Sequence, residues 1–528
     1  TLSFGFAAGC DVRAADVVEL PGAVSFSLQC QGEEALPVRM PVPGRHNVLN
    51  ALAAVAAARA AGVPPRASAA GLGVVRLPRR RFEKTVDTDA LTVISDYAHH
   101  PTEIAALVAA ARGLGRKRIL AVFQPHRYTR TRALGADFPP AFTGIDELVL
   151  LPVYAASEAP LAEGTVWDLY RRFRELPGSL VPTPRVATSL DQAWQYLRRE
   201  LRPGDLLLVI GAGDVEVIAQ WAQRADGAGN LRPDPVELCG LTDGSRVRLD
   251  EPLAGKTTIR VGGRADTWVD VECVADLGCV LRQTRERGFA FQLLGAGSNV
   301  LVSDLGVRGV VVRLTGAVFN ELRSEDGLVT VGAAVSMARL QGWLEEQGLG
   351  GLESLEGIPG SVGGAVHMNA GAYGDEIGNH LVRARCLDPD GAERVLEGRE
   401  LGLRYRLCEG LRGRFVVSAD LSVAPADRAE IGQRRRAIAE RRSWMKGIRS
   451  AGSIFRNPPG EHAGRLSERA GMKGMAVGGA SVLERHGNVI VTGPGSTASD
   501  VRALIELIRV RVFEQTSVEL RTEVELVG

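Results

Sequence analysis

Three glycine-rich segments constrain the fold of this chain more than any other feature of its sequence. They lie at 261–265 (VGGRA), 294–299 (LGAGSN) and 357–365 (GIPGSVGGA). Because glycine has no Cβ, turns built from it let backbone N–H groups approach an anion such as a diphosphate closely. Each segment alone is typical of a tight turn. The three together predict a binding site for a phosphorylated ligand.

The composition argues against several classes of protein. Hydrophobic residues make up 45% of the chain and the formal net charge is +1, which indicates a globular protein without general attraction to nucleic acid or membranes. The seven cysteines form no C-x-x-C pair, so we expect neither a disulfide framework nor a zinc or other metal site. No apolar run reaches the ~18 residues of a membrane span. We therefore expect a cytoplasmic protein.

Strand and helix patterns alternate between residues 80 and 224 and predict a parallel α/β layer. The expected strands and helix lie at 91–95, 101–112 (the helix), 118–123, 147–151 and 206–210. An alanine-rich helix is expected at 47–61 and an amphipathic helix at 499–513. Residues 225–235 (ADGAGNLRPDP) are rich in Gly, Pro, Asp and Asn, and we assign 225–240 as an interdomain linker.

The second half of the chain, from about 241 to 528, carries long motifs in a fixed order. They are TTIRVGG (257–263), GAGSNVLVSD (295–304), LESLEGIPGSVGGAVHMNAGAYG (352–374), YR (405–406), AGSIFRNP (451–458), ERAGMKG (468–474), GGASV (478–482) and TEVELVG (522–528). This half resembles the UDP-N-acetylenolpyruvoylglucosamine reductases, also called UDP-N-acetylmuramate dehydrogenases. The resemblance implies a two-subdomain FAD-binding fold of the vanillyl-alcohol-oxidase type at 241–425. An α+β substrate-binding domain would follow at 426–528.

The same resemblance implies a reaction and the residues that carry it. NADPH would reduce FAD, and the reduced flavin would reduce UDP-N-acetylglucosamine enolpyruvate to UDP-N-acetylmuramate. By motif, Ser453 matches the proton donor, Arg406 the residue that stabilises the substrate carboxylate, and Glu523 the acid that helps to polarise it. Such a site needs both a donor at the carboxylate and an acid for the adjacent carbon. Tyr405 and Asn457 match substrate-contacting positions.

The glycine-rich segments would bind the FAD. The implied cofactor-binding residues are Gly262, Gly263, Arg264, Gly295, Gly297, Ser298, Asn299, Gly357, Ile358, Gly360, Ser361, Gly363 and Gly364.

Two places depart from the usual reductase sequence, and one resembles another motif. Leu407 and Cys408 stand where a polar residue and a serine are frequent, and 444–448 (WMKGI) replaces a segment that usually contains proline. We expect local substrate contacts to differ there, but not the reaction. Residues 254–258 (AGKTT) look like the end of a phosphate-binding P-loop. The full motif requires glycine at position 250, where the chain has Asp250.

The first half carries a different set of motifs. They are PGRHNVLNALAA (43–54), RRFE (80–83), DYAHHPTE (96–103), FQPHRYTRTR (123–132) and GAGD (211–214). This half resembles the Mur amide ligases, and in particular UDP-N-acetylmuramate–L-alanine ligase. The resemblance implies the end of an ATP-binding central domain at 1–79 and a C-terminal α/β domain at 80–224. The whole chain would then be a multidomain protein of α/β and α+β domains.

The ligase resemblance also implies roles for individual residues. His46, Asn47 and Asn50 would lie near adenine and ribose. Arg81 would approach the γ-phosphate and Asp96 the nucleotide. The muramoyl substrate or the incoming alanine would be held by His126, Arg127 and Arg130. The ligases hold the ATP phosphates in a GxxGK(T/S) loop, which does not occur in these 528 residues, so we expect no ligase activity from this chain alone.

Three readings of the fusion remain open on the sequence. The natural protein could be a full bifunctional ligase and reductase that begins upstream of Thr1. Alternatively, the first half could be a non-catalytic docking module that delivers or receives UDP-N-acetylmuramate. A generic flavin oxidase with another substrate is the third reading. The presence of a ligase-like half and the motifs around Ser453, Arg406 and Glu523 argue against that oxidase.

Overall fold

The structure, a computed structural model, describes residues 1–76, 78–176, 181–232 and 236–528. The chain forms two compact units, the N-terminal unit (1–233) and the C-terminal unit (234–528). Helix Glu216–Gly227 extends three residues into the predicted linker at 225–240. Residues 233–235 of that linker lie outside the described residues. The finer domain boundaries, at 79, 224, 240 and 425, stay predictions.

The N-terminal unit begins with a four-stranded sheet whose strands follow the order of the chain. The strands are Phe4–Gly5, Val12–Leu20, Ala23–Cys30 and Leu36–Met40. The helices that follow, Arg45–Ala60 and Pro65–Leu72, pack their Val48, Leu52 and Leu72 side chains into the core of this sheet. The alanine-rich helix predicted at 47–61 is thus confirmed, with its start two residues earlier.

A six-stranded sheet forms the second layer of this unit. In spatial order its strands are Glu83–Asp87, Leu91–Asp96, Asp205–Ile210, Ile119–Phe123, Glu147–Leu150 and Arg185–Val186. All neighbours are parallel except the first pair, so the predicted parallel α/β layer is confirmed. The central strands are fully buried because they are continuous apolar runs covered on both faces.

Helices alternate with these strands along the chain. They are Pro101–Arg112, Tyr128–Ala133, Phe138–Ala141, Val166–Glu175, Leu190–Glu200 and Glu216–Gly227. The first has the predicted bounds, since Pro101 suits a first helical turn and the side chains of His100 and Glu103 form a reciprocal cap.

The C-terminal unit opens with a four-stranded sheet in the order Arg246–Pro252, Arg264–Val271, Val307–Leu314, Phe291–Leu293. Helix Val274–Glu286 packs against it, with Leu277, Val280 and Leu281 in the core. A short parallel pair, Val300–Val302 with Glu525–Val527, brings the C-terminal segment of the chain to the second glycine-rich segment.

A five-stranded antiparallel sheet follows in the same unit. Its strands, in spatial order, are Leu322–Glu325, Leu328–Gly332, Phe415–Ser422, Leu381–Leu387 and Glu393–Glu397. Helices Met337–Gln347 and Val362–His367 contribute to the core on this sheet. Short two-stranded pairs are Leu349–Gly350 with Ala424–Pro425, Gly371–Ala372 with Asp375–Glu376, and Leu403–Arg404 with Leu407–Cys408.

The last part of the unit is a four-stranded antiparallel sheet with three helices. The strands, in spatial order, are Ser450–Ser453, Val489–Thr492, Ala480–Val482 and Ala476–Val477, and the helices are Arg428–Arg442, Ala463–Arg469 and Ala498–Thr516. The predicted amphipathic helix at 499–513 is confirmed. In the parts of the chain that the structure describes, no helix combines the length and apolarity needed to cross a membrane.

Candidate active site

A cavity of about 840 Å³ in the C-terminal unit brings together most of the predicted reductase residues. Its lining includes the three predicted catalytic residues Ser453, Arg406 and Glu523. The predicted cofactor-binding residues that line it are Gly295, Gly297, Ser298, Asn299, Ile358, Gly360, Ser361, Gly363 and Gly364. Two of the three glycine-rich segments therefore share one cavity with the predicted catalytic groups.

The two glycine-rich segments that line the cavity contact each other directly. The Ser298 hydroxyl donates a hydrogen bond to the Pro359 carbonyl oxygen at 3.0 Å. Gly360 has a φ of +134°, and a Cβ there would lie 2.9 Å from the Ser298 hydroxyl oxygen. Glycine is required at this position by both its backbone conformation and the close approach.

Arg406 and Glu523 form an ion pair at the cavity. The Arg406 Nε lies 3.0 Å from Glu523 Oε1, and the side chains are only 20% and 15% exposed. A second guanidinium nitrogen of Arg406 donates to the Gly371 carbonyl oxygen at 2.9 Å. Arg406 also has a left-handed backbone conformation, with a φ of +56°. Such strain in a non-glycine residue is found where the surrounding structure fixes a functional side chain.

Glu523 is positioned by two other segments, through the Ile454 backbone and the Asn299 side chain. Its amide N–H donates to the Ile454 carbonyl oxygen at 2.7 Å, and its carbonyl oxygen accepts from the Asn299 side chain at 3.0 Å. Asn299 thus joins the second glycine-rich segment to the C-terminal segment. Burial raises the pKa of the Glu523 carboxyl, while the positive charge of Arg406 opposes that shift. The carboxyl consequently takes up a proton more readily than an exposed glutamate.

Ser453 ends a strand whose pairing contains a bulge. Strand Ser450–Ser453 pairs with Val489–Thr492, and the register shifts between Ser450 and Ser453. Gly452 lies in this interval with a φ of +73°, which glycine adopts without strain. Bulges change the direction in which a following side chain points. The sequence AGS thus provides both the bulge and the hydroxyl at the cavity.

The first glycine-rich segment does not line the cavity. A Cβ at Gly262 would lie 2.7 Å from that of Val302, and one at Gly263 would lie 2.5 Å from the Asp304 carbonyl oxygen. The side chain of Arg264 pairs with Asp250 at 2.8 Å. In this structure Gly262 and Gly263 pack closely against residues 302–304, and Arg264 forms a surface ion pair. Their role in cofactor binding stays a prediction.

Three further predicted residues are also outside the cavity lining. Gly357 packs against the side chain of Arg442. The ring of Tyr405 lies under the Arg406 guanidinium, 5.0 Å from ring centroid to Cζ. Asn457 is exposed, and its side-chain oxygen accepts from the Ala463 N–H at 3.0 Å, at the start of helix Ala463–Arg469.

The P-loop-like segment at 254–258 has a structural role. Its Lys256 ammonium pairs with Glu251 at 2.8 Å and lies 5.0 Å from the ring centroid of Trp268. The lysine is thus engaged by a carboxylate and an aromatic ring.

Sequence reasoning missed several cavity-lining residues, among them Arg442, Trp444, Met445 and His486. The rings of Trp444 and His486 are stacked with centroids 5.8 Å apart and an interplanar angle of 15°. The signal that pointed to this place was the departure of 444–448 from the usual reductase sequence.

The N-terminal unit places most of its predicted residues near the carboxyl ends of its parallel strands. Both carboxylate oxygens of Asp96 accept backbone N–H groups, from Phe82 at 2.7 Å and from Ala98 at 2.8 Å. Burial lowers the pKa of His46, and the negative charge of Asp96 opposes this shift. Arg81 is exposed, with its guanidinium 6.0 Å from the Tyr97 ring centroid.

The remaining predicted ligase residues form two small groups. His126 Nδ1 lies 3.1 Å from an Arg130 guanidinium nitrogen, and the imidazole stacks on Tyr154 at 5.6 Å. The Arg127 side chain is half exposed and pairs weakly with Glu158 at 3.9 Å. In the helix, Asn47 donates to the Pro43 carbonyl oxygen at 2.8 Å and Asn50 donates to Asn47 at 3.4 Å.

Comparison with known proteins decides the family of the C-terminal unit. Residues 443–527 match the C-terminal domain of UDP-N-acetylenolpyruvoylglucosamine reductase, and 265–397 match an FAD binding domain. The reductase of Bacillus licheniformis is 41% identical over 290 residues, which cover 54% of this chain and 94% of that protein. The chain belongs to the UDP-N-acetylenolpyruvoylglucosamine reductase family.

The chain is also similar to other members of the reductase family. The reductase of Bacillus subtilis is 40% identical over 290 residues, 54% of this chain and 94% of the relative. The crystal structure of the reductase from Thermus caldophilus is 36% identical, with a TM-score of 0.47 and coverage of 54% of this chain and 100% of the other. The expected family and its flavin-binding domain are confirmed.

The N-terminal unit matches a second family. Residues 80–213 match the domain described as the glutamate ligase domain of Mur ligases. The solved UDP-N-acetylmuramate–alanine ligase of Thermotoga maritima is 24% identical, with a TM-score of 0.36, and the match covers 43% of this chain and 48% of that one. The family matches at 80–213 and 443–527 confirm the predicted fusion of a Mur ligase domain with a reductase.

Proposed function

We propose that the C-terminal unit reduces UDP-N-acetylglucosamine enolpyruvate to UDP-N-acetylmuramate in bacterial peptidoglycan synthesis, with NADPH as the reductant and FAD as the cofactor. One observation carries the proposal. Ser453, Arg406 and Glu523 line the same cavity as the two glycine-rich segments. The reduction would take place in the cytoplasm, where the seven unpaired thiols remain reduced.

The residues around the cavity fit FAD. A volume of about 840 Å³ falls within the ~300–1,000 Å³ typical of ligand sites. The glycines at 295, 297, 360, 363 and 364 leave backbone groups at the cavity uncovered by side chains. Such groups, with Ser298 and Ser361, are suited to a diphosphate. When bound, FAD supplies hydride transfer from NADPH to the carbon–carbon double bond of the substrate.

Arg406 and Glu523 would act on the substrate carboxylate. That carboxylate is conjugated to the double bond, so negative charge accumulates on it as hydride arrives. The Arg406 guanidinium, oriented by Glu523 and the Gly371 carbonyl oxygen, provides a fixed cation for this charge. A protonated Glu523 carboxyl can donate a hydrogen bond to the same group, and its raised pKa favours that form.

Ser453 would give a proton to the carbon adjacent to the carboxylate. Serine is a poor acid in water, but the enolate-like species that follows hydride arrival is basic enough to accept its proton. The serine would recover its proton from solvent. The net change adds one hydride and one proton across the double bond and oxidises one NADPH.

The proposal is tested by reconstitution and turnover of the whole chain. The purified protein is expected to be yellow and to release FAD on denaturation. Under anaerobic conditions it should oxidise one NADPH per FAD without the enolpyruvyl sugar and turn over NADPH repeatedly only when the sugar is added. Well-folded protein that cannot be reconstituted with FAD would refute the assignment.

For the N-terminal unit we propose a docking role for UDP-N-acetylmuramate rather than ligation by this chain. His46, Asn47 and Asn50 could still contact an adenosine, and His126, Arg127 and Arg130 a muramoyl ligand. Acyl-phosphate formation also needs the γ-phosphate held in line, which a GxxGK(T/S) loop provides in ligases, and residues 1–528 contain no such loop. Phosphate release with ATP, L-alanine and UDP-N-acetylmuramate should not exceed that of an Asp96→Ala control. Substrate-dependent turnover above that control would reverse this proposal.

A further inference from the structure

Arg442 is a cation at the cavity that the proposed mechanism does not use. It is the last residue of helix Arg428–Arg442, is half-buried and lines the cavity. Its side chain lies along Gly357, where a Cβ would be 3.2 Å from its Cδ and Nε atoms. Its Nε is buried, and in the described part of the protein this atom has no hydrogen-bond partner.

A buried guanidinium N–H without an acceptor is unfavourable, because the group has lost water without gaining a partner. An anionic oxygen in the cavity would supply that acceptor. Guanidinium groups bind phosphate oxygens well, since their donors form a fixed planar fork. The adjoining loop, 357–361, is one of the glycine-rich segments suited to a diphosphate. We propose that Arg442 binds the diphosphate of a ligand in this cavity.

Neighbouring contacts hold the end of the helix that carries Arg442. Two turns earlier in the same helix, Arg435 donates a hydrogen bond to Glu356 at 2.7 Å, next to Gly357. On the other side, Trp444 is fixed by its stack with His486. The helix end is therefore attached both to the glycine-rich loop and to the segment that precedes strand Val489–Thr492. A cation that is already oriented loses little conformational entropy on binding.

Three diphosphates belong to the proposed reaction, those of FAD, NADPH and the UDP-sugar. The inference rests on the proposed function for this choice of ligands. The shared chemistry is the diphosphate, and separate binding measurements distinguish its source. FAD affinity comes from titration of the deflavinated whole chain. Apparent affinities for NADPH and the enolpyruvyl sugar come from the concentration dependence of flavin reduction and of flavin reoxidation.

The decisive variant is Arg442→Gln, with Arg436→Gln as the matched control. The control removes the same charge from an exposed position of the same helix. A hydrogen bond to a charged group corresponds to about 10–100-fold in affinity. We expect Arg442→Gln to weaken one of the three ligands by about that factor and the control to leave all three unchanged. Arg442→Lys, which keeps the charge without the fork, should be intermediate.

Selective weakening of FAD, NADPH or the sugar supports the inference and names the ligand. Unchanged affinity for all three, or equal weakening in the Arg436→Gln control, overturns it. If Arg442→Gln does not fold, as judged by its thermal unfolding, the Arg442→Lys affinities decide alone, and unchanged values overturn the inference. Failure of the unaltered chain to bind FAD would instead refute the proposed function.

Discussion

Both units contain a buried carboxylate within a family motif, but the two carboxylates have different partners. In the C-terminal unit, the buried Glu523 faces Arg406 at a cavity wall. In the N-terminal unit, the buried Asp96 directs both oxygens to backbone N–H groups of its own loops. Both carboxylates sit in family motifs, yet only Glu523 lines a cavity that also contains the predicted proton donor. A motif therefore identifies a residue without telling whether its polar atoms are available to a ligand.

The comparison extends to the backbone. Arg406 and Arg127 are both non-glycine residues in the left-handed region, with φ of +56° and +69°. Arg127 precedes helix Tyr128–Ala133 and its side chain is half exposed, whereas Arg406 is held by an ion pair and a carbonyl oxygen. Strain of this kind persists only where neighbours over-determine the conformation. For Arg406, such neighbours are Glu523 and the Gly371 carbonyl oxygen, which hold its side chain.

The largest expected effect separates the two half-reactions of the C-terminal unit. Ser453→Ala should slow flavin reoxidation by the enolpyruvyl sugar by about 10²–10⁴-fold, the usual cost of a lost general acid. Flavin reduction by NADPH should be nearly intact, because that step does not use the hydroxyl. Rapid mixing of each half-reaction measures both rates. Equal slowing of the two steps would make Ser453 structural or flavin-binding.

Arg406→Met should give the next largest effect. Removing one preorganised charge-stabilising group commonly costs about 10²–10³-fold in rate. We expect this loss in reoxidation by the sugar, with Arg406→Lys retaining part of the rate because it keeps the charge. Stopped-flow traces of the two variants test this. A reoxidation rate equal to that of the unaltered chain would exclude Arg406 from carboxylate stabilisation.

Arg406→Met should also change how the unfolding temperature depends on pH. Burial raises the pKa of Glu523 above 4.5, its ordinary value, and Arg406 opposes the rise, so Arg406→Met should raise that pKa further. A group with a raised folded-state pKa contributes stability that is lost as pH increases through that pKa. Unfolding temperature should therefore fall more steeply with pH, above 4.5, in Arg406→Met than in Arg406→Lys. Parallel curves would contradict the coupling of the two residues.

A smaller effect should appear in the N-terminal unit alone. Asp96→Ala removes the acceptor for the Phe82 and Ala98 N–H groups and should destabilise that unit by about 1–3 kcal/mol. Asp96→Asn keeps one acceptor oxygen and should lose less. Calorimetry of the whole chain measures the loss of stability. The rates of the two flavin half-reactions show whether the C-terminal unit is affected. A change in flavin kinetics without loss of stability would show that Asp96 acts beyond its own loops.

The smallest effect concerns Asn457, which a motif placed at the substrate. Since its side chain accepts the Ala463 N–H, Asn457→Ala should cost about 1 kcal/mol of stability, as for a lost helix cap. Both half-reaction rates should be nearly unchanged. A higher KM for the sugar at unchanged stability would instead show that Asn457 contacts the substrate.

Much of the architecture was predictable from sequence. Helix Pro101–Arg112 and the strands beside it follow from apolar runs and end signals that are local in the chain. The glycine-rich segments identified a phosphate-binding type of site. By contrast, the link between Asn299 and Glu523 joins residues far apart in sequence, and local patterns carry no information about it.

The sequence does not distinguish glycines that are needed for close backbone packing from glycines that lie beside the cavity. Gly262 and Gly263 are required by close packing on Val302 and Asp304, whereas Gly360 is required beside the cavity. Their local sequences are alike because both uses demand a missing Cβ. Arg442 and Trp444 were missed for a related reason, since arginines and a tryptophan near a helix end are typical of many surfaces.

We propose that sugar reduction takes place in the cavity of the C-terminal unit. The most direct test is to reduce the flavin of the whole chain anaerobically with NADPH and then mix it with the enolpyruvyl sugar or with oxygen. We expect rapid reoxidation by the sugar, with formation of UDP-N-acetylmuramate, and far slower reoxidation by oxygen. Reoxidation by oxygen alone, with the sugar recovered unchanged, would contradict it and indicate a flavin oxidase with another substrate.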